Sequence, residues 1–267
     1  MSAQFLILLI VCFGASLLGP ICGIGGGVII KPVVDAAGIM SVSEASFLSG
    51  VCVLTMSLAT FAQDAAAHKP QPGLGPIAPI AVGSAAGGVC GKALFSGLMA
   101  AFSDQALVGA AQALVLISLT AITAAYTLLK ARIRPLLIQD PVPRMSVGFL
   151  AGACWSFLGI GGGPFNLAIL TFFFAMDTKE AARASLFIIA CSQIASLAYS
   201  ASSGGIPPVP AADLAGACAM AVLGSVAGHA LAAHLDGRAV DRLYLCALAV
   251  ICVICGGNAV KFLALGL

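Results

Sequence analysis

Charge is what this sequence has least of. Of its 267 residues only 12 are Lys or Arg and 10 are Asp or Glu, together 8%, where a soluble domain carries about 25%. A water-facing fold is excluded. The basic residues form no run long enough to hold a nucleic-acid backbone, so nucleic-acid binding is excluded as well. The acids mark the ends of apolar stretches and do not cluster with His, so no nucleophile and base pair and no metalloprotease site can be assembled. The expectation is a protein that is not an enzyme, with no catalytic residue, metal ligand or cofactor. A disulfide framework is equally absent. The ten Cys residues all lie inside apolar stretches and read as small buried hydrophobes, and the pair Cys252 and Cys255 has no second pair or nearby His to complete a zinc site.

What is present is apolar and small. Hydrophobic residues make up 61%, with 31 Gly, 13 Pro and a mean hydropathy of +1.11, the composition of helices packed closely in lipid. The fold class is therefore an all-α integral membrane protein. The N-terminal apolar run has no basic residue before it and no small-x-small cleavage pattern, so it reads as part of the mature protein rather than a secretory signal. Stretches free of Asp, Glu, Lys and Arg run over 1–30, 45–63, 70–91, 105–129, 145–176, 184–212, 214–235 and 243–260, which makes eight hydrophobic elements.

Two of the eight are too long to cross as single helices. Residues 5–40 would measure about 54 Å and residues 145–176 about 48 Å, against a hydrocarbon core of about 30 Å. Each must break, and each carries a motif that permits it: Gly23-Ile24-Gly25-Gly26-Gly27 and Gly159-Ile160-Gly161-Gly162-Gly163, flanked by about fifteen residues on either side. The two motifs belong to an internal repeat at an offset of 136. Over residues 23–49 it yields nine identities, including Met40 with Met176, Glu44 with Glu180 and Ser49 with Ser185, where chance gives about one or two. The expected organisation is a first transmembrane repeat at 1–130, a basic cytoplasmic linker at 131–144 and a second repeat at 145–267.

The basic residues bear on topology. If all eight elements span, six lie on each side. If the element at 145–176 instead returns to the side it entered from, nine lie on one face and only Lys31, Lys92 and Lys261 on the other, in keeping with the positive-inside rule. The first broken element inherits the same form through the repeat. Each half then holds one re-entrant hairpin and three full spans, so the second half is inverted relative to the first and both termini lie outside.

Broken helices in inverted repeats are how many secondary transporters build a substrate site near the bilayer midplane. Here a half-helix begins after each motif, near Val28 and near Pro164, and its free N–H groups and positive dipole end would face the membrane centre. Two such ends suit an anion.

These residues resemble the TauE/SafE sulfite exporter family. The resemblance covers two hydrophobic halves of about 130 residues, each opening on a glycine-rich segment, joined by a basic loop. The first motif, G-I-G-G-G-V-I-I-K-P, resembles the family's glycine-rich segment followed by Pro32; the second departs from it, with Ala168 in the equivalent place and Pro164 earlier. The resemblance implies export of sulfite or an organosulfonate across the bacterial cytoplasmic membrane, driven by a proton or other ion gradient. A homodimer is compatible with it. The helix ends alone choose neither sulfur over carboxylate nor carrier over passive channel.

The candidate substrate residues are Gly25, Gly26, Gly27, Gly161, Gly162 and Gly163 of the two motifs, with Lys31, Ser49, Asn166, Arg183 and Ser185. Lys31 lies in the first turn of its half-helix, where a cation needs a negative neighbour, or it snorkels to an interface. Asn166 offers a donor and an acceptor in the equivalent turn, to substrate or to another helix. Arg183 either pairs with Glu180 at the membrane face or faces the cavity. Ser49 and Ser185 are repeat-related hydroxyls, Gln193 is a weaker candidate, and His68, His229 and His234 read as interfacial.

Overall fold

The computed structural model describes residues 3–68, 74–101, 105–162 and 164–265. Among them the chain is helical throughout, with no strand. The helices are α1 (Ala3–Cys22), α2 (Gly27–Ala37), α3 (Val42–Ala66), α4 (Leu74–Ala101), α5 (Gln105–Leu129), α6 (Pro141–Leu158), α7 (Phe165–Phe174), α8 (Thr178–Ser202), α9 (Ala211–Ala232) and α10 (Gly237–Leu265), with a 3-10 turn at Lys130–Arg132. Seven of them, α1, α3, α4, α5, α8, α9 and α10, are long and apolar enough to cross a membrane.

Both overlong stretches break at their glycines. The arms are unequal, however: α1 and α6 have 20 and 18 residues, while α2 and α7 have 11 and 10. The short arms stop at left-handed C-caps, Gly38 (φ 61) and Ala175 (φ 52). The long arms run on because each has a full-length partner to lie against. On α4, Gly83 and Gly87 take the backbone of Met145 and Phe149 from α6; on α9, Gly224 and Gly228 take that of Phe13 and Leu17 from α1. Any side chain at these four positions would overlap the neighbouring backbone, so glycine alone allows helices this close. In both pairs residue numbers rise together along the contact, so α1 runs parallel to α9 and α4 parallel to α6. Each half lends its long arm to the other.

The repeat extends to helix boundaries. α3 and α8 begin and end at positions exactly 136 apart. Their N-caps are also equivalent: Ser41 forms a capping box with Glu44, and Asp177 accepts from the N–H groups of Lys179 and Glu180 at 2.9 Å. α6 starts at Pro141, a favoured first helical residue. Ahead of it, Leu136 and Ile138 donate backbone N–H groups to Phe172 and Phe173 at the end of α7.

α5 and α10 lie antiparallel: Lys130 meets Asp241 at 2.6 Å at one end, and Gln112 and Asn258 line one small cavity at the other. The short arms occupy opposite ends of this pair. Asn258 donates to the Pro32 carbonyl of α2 at 2.7 Å, and Lys261 to that of Asp35 at 2.9 Å. The Tyr244 hydroxyl donates to the Pro164 carbonyl before α7, and Tyr126 hydrogen-bonds Thr171 at 3.2 Å. Placed end to end, the 11 and 10 residues of the short arms measure about 32 Å, close to the hydrocarbon thickness.

The cysteines are all free, and not all are buried. Cys12, Cys22, Cys52 and Cys255 are, whereas Cys90 and Cys246 lie exposed on the outer, apolar surface of the helices. Cys252 and Cys255 are both unbonded.

Candidate functional site

The two glycine motifs, 136 residues apart, meet at the centre of the fold. A Cβ on Gly25 would overlap the Gly162 carbonyl oxygen, and one on Gly27 would overlap the Ile160 carbonyl oxygen and the Ser49 hydroxyl. Only glycine lets the two loops cross backbone to backbone. The isoleucines inside the motifs, Ile24 and Ile160, are wholly buried and pin the crossing into the core. Gly23 (φ 64) and Gly159 (φ 67) turn the chain out of α1 and α6 in the left-handed region, and each rests on the equivalent helix of the other half, on Ala182 and Ser46 respectively. Ala182 and Ser46 are themselves 136 apart.

Among the described residues, the N–H groups of Gly25, Gly26, Gly27, Gly161 and Gly162 have no hydrogen-bond partner in the protein. Gly163 lies outside the described residues. Around these donors the predicted side chains behave differently. Ser185 donates to the Gly23 carbonyl at 2.8 Å and so holds the first loop in place. Its repeat partner Ser49, fully buried beside the start of α2, has no hydrogen-bond partner at all. Asn166 accepts from the Trp155 indole N–H at 2.8 Å, which fixes its amide orientation, because an indole N–H needs an acceptor. The Asn166 Nδ2 is left buried and unpartnered. Trp155 is stacked on Phe165 at 4.7 Å, so the amide is held on a rigid support.

Lys31 is elsewhere. It is 4% exposed and pairs with Asp35 one turn on at 2.8 Å, so the negative neighbour its position requires comes from its own helix. The pair faces α5 and α10, beside Gln112 and Asn258, rather than the glycine crossing.

At the crossing the two backbones are in close contact, and a cavity lies on either side. One cavity, of about 210 Å³, is bounded by the end of α1 (Pro20, Ile21), the last turns of α3 and α9, and the first turns of α8 and α10. Arg183 lines it together with Lys179, Asp64, Thr60 and His229, and Ala182, which carries Gly23, forms its inner wall. His229 Nε2 stands 3.8 Å from Asp64. Arg183 thus belongs to the cavity, half-buried, while Glu180 is exposed. His229 joins it there, whereas His68 and His234 are exposed at helix ends.

A second cavity, at about 10 Å³ too small for an anion and in that sense closed, lies on the other side of the crossing, against Gly159, Ser46 and Gln193. Lys92 lines it, 6% exposed. Sequence reasoning used Lys92 only in the charge tally for topology and as the charge ending the run 70–91, and did not count it among the site residues. The signal was there: α4 continues nine residues beyond it, so the lysine is interior to a 28-residue helix.

No group of three or more His, Cys, Asp or Glu able to hold a metal occurs among the described residues. Both cavities carry basic side chains, Lys179 and Arg183 in the first, beside Asp64, and Lys92 in the second. No curated protein and no solved structure matches the chain. A family model does, over residues 7–254, nearly the whole length and both glycine motifs, and by that match the chain belongs to the sulfite exporter TauE/SafE family.

Proposed function

We propose that this protein is a secondary transporter that exports a small sulfur-containing anion, sulfite or an organosulfonate, across the bacterial cytoplasmic membrane. The observation that carries the reading is the cavity lined by Arg183, Lys179 and His229, whose wall includes Ala182, the residue on which Gly23 of the first loop rests. Arg183, Lys179 and His229 draw an anion in, and the unpartnered N–H groups of the loops, with Ser49 and the Asn166 amide, supply neutral donors further in. Sulfite presents three oxygens to such donors without demanding a buried counter-cation for each. The substrate therefore passes beside the crossing rather than between the loops, where no room exists.

The topology in this reading is two inverted halves, each with a re-entrant hairpin, α1–α2 and α6–α7, and three spans. It is supported by the parallel pairs α1/α9 and α4/α6 and by the placement of α2 and α7 at opposite ends of the α5/α10 pair. Both hairpins then return to the side they entered, and both termini share one face. The cavity with Arg183 opens on the other face, which holds Lys130, Arg132, Arg144, Lys179, Arg238 and Arg242 and is cytoplasmic by the positive-inside rule. Export starts from that side. A proton or another ion drives it, and two copies side by side are compatible with the apolar outer surface.

Purified protein in liposomes tests the reading. Labelled sulfite efflux is expected to be saturable, competed by organosulfonates more strongly than by carboxylates, and stimulated by a pH gradient. Preference for a carboxylate would transfer the same site to a different substrate class, and flux that never saturates would make the protein a channel.

A further inference from the structure

The two cavities are the same place in the two halves. At the offset of 136, Ser46, Phe47, Ser156 and Ser196 of the closed cavity correspond to Ala182, Arg183, Pro20 and Thr60 of the open one. At the offset of 141 that relates Gly83 to Gly224, Lys92 corresponds to Ala233, which also lines the open cavity. Their positions are opposed along shared helices. The open cavity takes the end of α3 and the start of α8, and the closed one takes the start of α3 and the latter half of α8. Where the open side has Arg183 on α8, the closed side has Phe47, and its cation, Lys92, comes from α4.

We infer that the closed cavity is a second anion site, on the exit side of the glycine crossing, and that Lys92 binds a small oxyanion there once the cavity opens. This rests on the transporter reading given above. A lysine at membrane depth is costly unless something negative accompanies it. Among the described residues no carboxylate pairs with Lys92, and its ammonium lies over the ring of Phe95, 5.0 Å from the centroid. Beside it the Ser156 hydroxyl is 4% exposed and has no hydrogen-bond partner, and Gln193, equally buried, lies against Gly161 of the second motif. One buried ammonium, one idle hydroxyl and one amide line a common space and can donate together to an oxyanion. At about 10 Å³ the space holds no more than about one water, so an oxyanion enters only when this side opens and the other narrows. Carrying the two cations on different helices of the two halves lets each side be charged without placing both charges in one cavity.

The test uses detergent-purified full-length protein, thermal stabilisation by sulfite, sulfate, methanesulfonate, acetate and chloride, and the variants K92Q, K92R and S156A. The expected result is that at least one oxyanion stabilises the wild type. Its apparent affinity falls about tenfold or more in K92Q, falls severalfold in S156A and is largely kept in K92R, with the anion-free melting temperatures nearly unchanged. Wild-type affinity for every anion in both K92Q and S156A, a response confined to chloride, or no response of the wild type to any anion would overturn the proposal. If K92Q fails to fold, S156A carries the decision, since it removes one hydroxyl and adds no bulk. A Lys92-dependent response to acetate but not to sulfite would uphold the site while rejecting sulfur as the substrate, so the two readings fail separately.

Discussion

Gly27 lies against the carbonyl of Ile160 so closely that no side chain fits between them, and this contact joins the start of one broken helix to the loop of the other. It couples the two halves at the glycine crossing. Gly27→Ala is therefore expected to push the loops apart, costing about 1–3 kcal/mol as overpacking does. Sulfite flux should fall about tenfold or more while the protein still inserts and purifies. Flux in liposomes beside a melting curve checks both halves of this expectation, and Gly25→Ala, against the Gly162 carbonyl, should behave alike.

The repeat-related serines should separate stability from transport. Ser185→Ala removes the donor to a buried carbonyl and is expected to cost about 1–3 kcal/mol in stability. Ser49→Ala removes a hydroxyl that bonds to nothing in the protein, so stability should hold or rise slightly while sulfite affinity drops severalfold. Thermal melts and transport KM on the two variants measure the contrast, and equal effects on both quantities in both variants would contradict it.

Arg183 faces the open cavity with a planar fork suited to an oxyanion. Arg183→Gln should raise the KM for sulfite presented from the cytoplasmic side by about tenfold, the scale of one charge-assisted hydrogen bond. Arg183→Lys should recover part of that loss, and higher salt should weaken wild-type binding more than that of Arg183→Gln. Side-resolved uptake in liposomes of known orientation provides the reading.

The Lys31 and Asp35 pair is assigned to the fold and not to the substrate. Replacing either alone, as Lys31→Met or Asp35→Asn, strands a buried partner and should destabilise by about 3–5 kcal/mol. The double replacement Lys31→Met with Asp35→Leu should regain most of this and retain sulfite affinity. A double variant that is stable yet no longer binds sulfite would place Lys31 in the site after all.

Much of this arrangement was legible in the chain. The scarcity of charge, the excess length of two apolar stretches and the doubled glycine motif locate both breaks, and the nine identities anticipate that α3 and α8 share boundaries. The unequal arms were not legible, because what lets α1 and α6 run long is a partner helix far away in sequence. Gly83, Gly87, Gly224 and Gly228 carried the signal at a spacing of four, but spacing does not say which helix fills the groove. Lys31 illustrates the same limit. Its partner Asp35 was visible at the i+4 position, yet only the packing of α5 and α10 shows that the pair turns away from the glycines. Lys92 and Arg183 look alike as cations near apolar runs, and only the structure shows that each lines a cavity, one on either side of the crossing.

The central claim is that an anion reaches the glycine crossing from one side at a time. Counterflow tests it most directly: liposomes loaded with unlabelled sulfite and diluted into a trace of labelled sulfite. Alternating access predicts a transient accumulation of label above its external concentration, lost in Gly27→Ala and strongly reduced in K92Q. Label that only equilibrates, with no overshoot in the wild type, would contradict the account.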